Sequence, residues 1–140
     1  MKIKNLKKKF SSYCKVNKLK INNNQISIIE LLIKFYISCF EKSFFDFFKD
    51  KNKKLGFYLF GDVGVGKTML LNFFYENLDI SKKRLHFNEF MITFHDFSHA
   101  NKKGEKNNII ELFVKKISKQ YELIYFDEFQ VTNIVDAMIL

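Results

Sequence analysis

The stretch "LFGDVGVGKTML", Leu59 to Leu70, packs three glycines into six residues and follows them with a lysine and a threonine. The spacing is Gly61, four residues, Gly66, Lys67, Thr68. Glycine lets a backbone turn sharply and come close to an anion, with its N–H groups directed inward. A helix beginning behind the loop adds the positive end of its dipole. Read as a phosphate loop, Gly61, Asp62, Val63, Gly64, Val65, Gly66, Lys67, Thr68 and Met69 surround the phosphates of a nucleotide. Lys67 would reach the β- and γ-phosphates, and the Thr68 hydroxyl would ligate Mg²⁺. The competing explanation is a flexible loop with these residues by coincidence. An apolar stretch before the loop and a helical stripe after it argue against that.

A phosphate loop of this kind calls for an acid at the end of an apolar strand, and "LIYFDE" supplies one. Asp127 would hold Mg²⁺ through water, and Glu128 would orient and activate the attacking water. Alone, such an acidic pair is common as a solvated turn or a helix cap. The pairing with the loop is what gives it catalytic meaning. One further strand candidate, "KRLHF", lies between the two motifs. That order resembles the class of phosphate-loop enzymes with an added catalytic glutamate, which includes the AAA+ ATPases. A GTPase is disfavoured, because no "NKxD"-like segment is present.

The elements that must position these residues follow from hydrophobic period. "INNNQISIIELLIKFY" reads as a helix capped by Asn23 or Asn24, with Ile26, Ile29, Ile33 and Tyr36 at helical spacing. A second apolar helix is expected over Phe40–Phe48, then a polar loop over Lys49–Lys54. "LGFYLF" suits a buried strand leading into the glycine loop. The helix behind the loop carries Met69, Leu70, Phe73 and Phe74 on one stripe. After "KRLHF", "NEFMITFHDFSHA" is helical and "NKKGEKNN" is a surface loop. "IIELFVKKISKQ" is an amphipathic helix with Ile109, Leu112, Phe113, Lys116 and Ile117 on one side. "LIYF" makes a third strand, and "IVDAMIL" begins another helix. Strands alternating with helices predict an α/β fold with a parallel sheet.

Composition adds boundaries. The chain has 140 residues, 47% of them hydrophobic, which suffices for a real core. Of the net charge of +9, eight units lie in residues 1–20, which hold eight lysines and no acid, leaving +1 for the rest. Such a run reads as a solvated or mobile end, with contact to nucleic acid or an anionic membrane as the alternatives. Lysine, asparagine, isoleucine and phenylalanine are all abundant, so base composition alone accounts for part of the basicity. The run lacks the apolar core of a secretory signal and the arginines of a mitochondrial presequence. Cys14 and Cys39 fit no metal or redox spacing and read as reduced thiols. In "IIELLIKFYISCFEKSFFDFF", Glu30, Lys34, Glu41, Lys42 and Asp46 argue against a membrane span. His95 and His99 stand four apart, but no third ligand accompanies them.

Three stretches together resemble one family: "GFYLFGDVGVGKTMLLNFFYE", "KRLHFNEFMITFH" and "IYFDEFQVTNIVDAMIL". They are similar to the cell-division ATPase ZapE family and its mitochondrial ATPase relatives, and cover most of Gly56–Leu140. The first is a general phosphate loop; "FDEFQVT" followed by "DAMIL" is the specific part. Residues 1–55 match weakly, chiefly through Gln25. The resemblance implies an AAA+-like ATPase that binds ATP and Mg²⁺ and couples hydrolysis to work on protein partners, in division or in quality control. Carried over, Gly61, Gly64, Gly66, Lys67 and Thr68 bind nucleotide, and Asp127 and Glu128 are the metal and hydrolysis acids. It also implies a cytoplasmic bacterial protein, peripheral at the inner membrane, or a mitochondrial one in a eukaryote, and a homo-oligomer in full-length form.

The family continues past "DAMIL" into a strand with a polar sensor and an arginine that reaches a neighbouring subunit. The chain therefore reads as the N-terminal part of such an ATPase: a basic tail at 1–22, a helical lead-in at 23–54 and an incomplete core at 55–140. Its single arginine, Arg84, matches a position inside the domain. In the AAA+ sheet the sensor strand separates the loop strand from the acid-bearing strand. Without it, those two either leave a slot or close on each other, and residues 1–140 alone should bind nucleotide weakly at best and hydrolyse it negligibly. Asn88 has two readings: a cap for the helix after "KRLHF", or a polar residue that restrains Glu128. The rival function is a nucleotide-binding adaptor without hydrolysis.

Overall fold

The computed structural model describes residues 3–40, 55–101, 106–131 and 134–137. The helix expected over Phe40–Phe48 beyond its first residue, and the loop at Lys49–Lys54, lie outside the described residues. The chain divides into two compact units, Met1–Leu78 and Asp79–Leu140.

The first unit opens with a 3-10 turn, Ile3–Asn5, that runs into helix α1, Leu6–Val16. The lysine-rich tail is thus not merely a solvated end. Leu6, Phe10 and Cys14, spaced four apart, form an apolar stripe that is fully buried. Lys7, Lys8, Lys9 and Lys15 occupy the exposed remainder. The Phe10 and Tyr13 rings each sit 5.2 Å from the Phe73 ring. Burial pushes the Cys14 thiol above its ordinary pKa, so it behaves as a small apolar group. The helix stops at Lys18, φ +55. There Leu19 N–H donates to the Cys14 carbonyl at 2.9 Å and Lys18 N–H to the Lys15 carbonyl at 3.2 Å. That is the paired closure of a left-handed helix end.

Helix α2, Asn23–Phe40, buries Ile29 and Leu32, while Ile26, Ile33 and Tyr36 are half-buried. Its cap is Asn22, one residue ahead of the expected asparagines: the Asn22 Oδ1 accepts from Asn24 N–H at 3.0 Å. Lys7 and Glu30 join α1 to α2 at 2.5 Å, and that hydrogen bond and charge hold the Glu30 carboxyl below its usual pKa. Both side chains are about half exposed, so the pair adds little stability. Helix α3, Lys67–Glu76, buries Leu70, Phe73 and Phe74. No described helix is long and apolar enough to cross a membrane.

The second unit runs β1 (Lys82–His86), α4 (Phe87–Ala100), α5 (Lys106–Ser118), β2 (Leu123–Asp127) and α6 (Ile134–Ala137). β1 and β2 pair in parallel, with Arg84 opposite Tyr125 and His86 opposite Asp127. The helical crossover between them is what a parallel pair requires. The core is mostly phenylalanine: Phe87, Met91, Phe94, Ile109 and Phe113 are buried, with Phe90, Phe97, Ile117, Phe126 and Phe129 packed on them. On α5 the buried stripe is Ile109, Phe113 and Ile117. Leu112, expected inside, is 45% exposed. Lys116 instead lays its ammonium 5.1 Å from the Phe97 ring centre.

The sheet therefore has two strands among the described residues, where the sequence predicts three. Leu55–Phe60 alternates half-buried Phe57 and Leu59 with exposed Tyr58 and Phe60, but it is not a strand. Phe57 packs on Phe35 of α2, with ring centres 5.9 Å apart. Strand character needs a ladder partner as well as an alternating pattern, and none pairs with this segment among the described residues.

Candidate functional site

The glycine loop follows Phe60 directly and ends in α3. Gly61, Gly64 and Gly66 take φ values of +148°, +84° and +90°, which favour glycine over any residue with a Cβ. Around Gly61 and Gly64 nothing lies within 4 Å of where a Cβ would stand. Gly66 is the N-cap of α3, and no side chain caps that end. The first backbone bond of the helix is Leu70 N–H to the Gly66 carbonyl, 3.0 Å. The N–H groups of Lys67, Thr68 and Met69 precede that bond, at the positive end of the helix. No acidic residue occupies the first turn.

Lys67 folds back over this loop. Its ammonium donates to the Gly61 and Asp62 carbonyls, each at 2.6 Å. The lysine thus stands astride the turn, held by two neutral acceptors. A phosphate oxygen is a stronger acceptor for an ammonium than a carbonyl is. Thr68, the second residue of α3, is exposed, as are Asp62, Val63, Gly64 and Val65. Met69 is half-buried. The loop geometry, the uncapped helix end and the overlying cation fit a polyphosphate.

In the second unit, Asp127 ends β2 and Glu128 follows it. Strand alternation sends Phe126 into the core, with its ring centre 4.9 Å from that of Phe90, and Tyr125 and Asp127 to the opposite face. On that face the parallel register brings Arg84 opposite Tyr125. The guanidinium lies 5.2 Å from the Tyr125 ring centre and donates to the Asp127 carboxylate. Burial, then the charge of Asp127, raises the Tyr125 pKa. Asp127 is thereby held by the Arg84 guanidinium and is only 19% exposed.

Glu128 differs. It adopts φ +51, the left-handed region that costs a non-glycine residue about 1 kcal/mol or more. The kink returns Phe129 to the core, 4.8 Å from the Phe87 ring centre, and leaves the Glu128 side chain 79% exposed. Its carboxylate lies 3.9 Å from His86 Nδ1. His86, not Asn88, is the N-cap residue of α4, and Glu89 Oε2 accepts from the His86 N–H at 3.2 Å. Asn88 is the second residue of the helix and exposed. The charged neighbour of Glu128 is therefore a histidine, His86. Arg84 on Asp127 was not foreseen, since strand register is not written in local pattern. His95 meets Asp136 of α6 at 3.3 Å. Among the described residues no group of three His, Cys, Asp or Glu could hold a metal ion alone.

A family model for the AFG1-like ATPases matches residues 16–140. The chain belongs to the AFG1-like ATPase family. Curated relatives of this AFG1-like chain include an uncharacterized protein of Schizosaccharomyces pombe, 40% identical over 90 residues, covering 61% of this chain and 20% of that protein. Lactation elevated protein 1 homolog B of Danio rerio is 42% identical over 95 residues, 61% of this chain and 19% of its own. Cell division protein ZapE of Escherichia coli is 37% identical over 86 residues, 61% of this chain and 22% of its own. This AFG1-like chain spans about a fifth of the length of these relatives. No solved structure matches it.

Proposed function

We propose that the chain is the nucleotide-binding part of an AAA+-like ATPase that hydrolyses ATP with Mg²⁺ and works on protein partners. The carrying observation is the loop Gly61–Gly66: three glycines at positive φ, an uncapped helix behind them and Lys67 across the turn. ATP phosphates would take the Lys67 ammonium from the carbonyls of Gly61 and Asp62 and accept the N–H groups at the start of α3. Thr68 and Asp127 offer hard oxygen donors suited to Mg²⁺ and would hold it. Bound Mg²⁺ would neutralise charge on the phosphates. Glu128, exposed at the end of β2, would accept a proton from the attacking water.

The relatives suggest the setting. One is a cell division protein, so clients in the division machinery are one proposal, and quality control of proteins is the other. A cytoplasmic or mitochondrial location, and a homo-oligomer in full-length form, belong to the same proposal. A binding module without hydrolysis is the second reading. Glu128 argues against it, because a module that only binds has no use for a strained, exposed acid at the end of β2.

Titration of the chain with Mg·ATP, followed by amide chemical shifts, tests the binding. Lys67→Ala is expected to weaken it at least about tenfold, since a charge-assisted bond of roughly 1.5–3 kcal/mol is lost. Equal affinity in the variant and the parent would reject the loop as the site.

A further inference from the structure

Gln25 lies 40 residues ahead of the loop in sequence, yet its amide is divided between α2 and the loop. It is the third residue of α2, after the Asn22 cap. Its Oε1 accepts from the Asn22 N–H at 3.3 Å, while Asn22 Oδ1 accepts from Asn24 N–H at 3.0 Å. The Asn22 carbonyl accepts the first helical bond, from Ile26 N–H, at 3.2 Å. This is the reciprocal box of a helix start, with the third residue reaching back to the cap. The other end of the same amide leaves the helix. Gln25 Nε2 donates to the Val65 carbonyl at 3.4 Å.

Val65 is followed by Gly66, the residue that turns at φ +90 into α3. A Cβ on Gly66 would lie 3.2 Å from Gln25 Nε2 and 3.5 Å from Met69 Cε. Of the three loop glycines only Gly66 is hemmed in this way; the other two face open space. The Val65 carbonyl and the Gly66 N–H belong to one planar trans peptide, so they point in opposite directions. Holding the carbonyl on Gln25 fixes the direction of the N–H.

We infer that Gln25 is a positioning residue for the phosphate loop: it pins the Val65–Gly66 peptide and so presets the Gly66 N–H toward an anion. The inference rests on the reading of this loop as a nucleotide site. It makes the start of α2 part of that site, and it ties the residues before the loop to nucleotide affinity without their touching the ligand.

Gln25→Glu separates the two tasks of the side chain. Glutamate keeps the acceptor for Asn22 N–H and adds a favourable charge at a helix start. It replaces the donor to Val65 with an oxygen that repels the carbonyl. Gln25→Ala removes both functions. The test uses the ¹⁵N-labelled 140-residue chain, with amide relaxation in the free state and shift titration with Mg·ADP. Gln25→Glu should unfold at the same temperature as the parent or higher. It should also show faster motion at Gly64 and Gly66, and bind Mg·ADP about three- to tenfold more weakly, the loss of one hydrogen bond. Gln25→Ala should show the same loss and a lower melting temperature. A Gln25→Glu variant with parental affinity and parental Gly66 relaxation would overturn the inference. Lys67→Ala serves as the separate control. If the parent and Lys67→Ala bind Mg·ADP alike, the nucleotide reading fails and the positioning role falls with it. If Lys67→Ala alone loses affinity, the nucleotide reading survives and Gln25 has no part in it.

Discussion

Glu128→Gln is expected to lower ATP turnover by about 10²- to 10⁴-fold in an actively hydrolysing form of the protein, with Mg·ATP still bound. The amide keeps the size of the side chain but cannot take a proton from water. The side chain is 79% exposed and makes its described charged contact only with His86, at 3.9 Å, so little packing depends on it. The backbone sharpens the test. At φ +51 the residue is strained, and Glu128→Gly should relieve that strain. Glycine there is expected to gain stability of up to about 1 kcal/mol while losing turnover as the glutamine does. A residue retained for structure would show the reverse. Turnover by Glu128→Gln within twofold of the parent would reject Glu128 as the base.

The second large effect is on folding. Phe113 is 3% exposed, and the rings of Phe90, Phe94 and Phe97 stand around it with centres 5.5, 5.1 and 5.3 Å away. Phe113→Ala should cost about 3–5 kcal/mol through lost burial and the cavity left behind. A unit of this size has a total stability of only several kcal/mol, at about 0.05–0.15 kcal/mol per residue. The variant should therefore unfold the region from Asp79 onward at ordinary temperature. Phe87, Phe126 and Phe129 share that core, so Asp127 and Glu128 lose their placement with it. Loss of amide dispersion in residues 79–131, with signals of residues 3–40 retained, is the expected spectrum. A cooperative melt within about 3 °C of the parent would show that α5 does not carry this core.

Much of this was legible in the chain. The glycine turn and the start of α3 at Lys67 fall where the loop spacing put them, and "KRLHF" and "LIYF" became the two paired strands. Motif spacing is local, and so is helical period, which is why both could be read. Part of what was missed was non-local. "LGFYLF" has the composition of a strand, but a strand is made by its neighbour, and Leu55–Phe60 has no ladder partner among the described residues. Arg84 reached Asp127 through a register that nothing in either segment announces. The tail was judged by its eight lysines, which hid Leu6, Phe10 and Cys14 at spacing four. Helix starts slipped by one or two residues, Asn22 for Asn23 and His86 for Asn88. Several polar residues in a row can each act as a cap, and packing chooses among them.

The central claim is that the loop Gly61–Met69 receives the phosphates of ATP. Mapping of amide shifts during titration of the ¹⁵N-labelled chain with Mg·ATP, and separately with Mg·AMP, tests it most directly. Saturable shifts are expected at Gly61, Gly64, Gly66, Lys67, Thr68 and Met69 with Mg·ATP, and far smaller ones with Mg·AMP, which lacks the β- and γ-phosphates. Shifts confined to the lysines of α1, equal for both nucleotides and abolished by added salt, would contradict it.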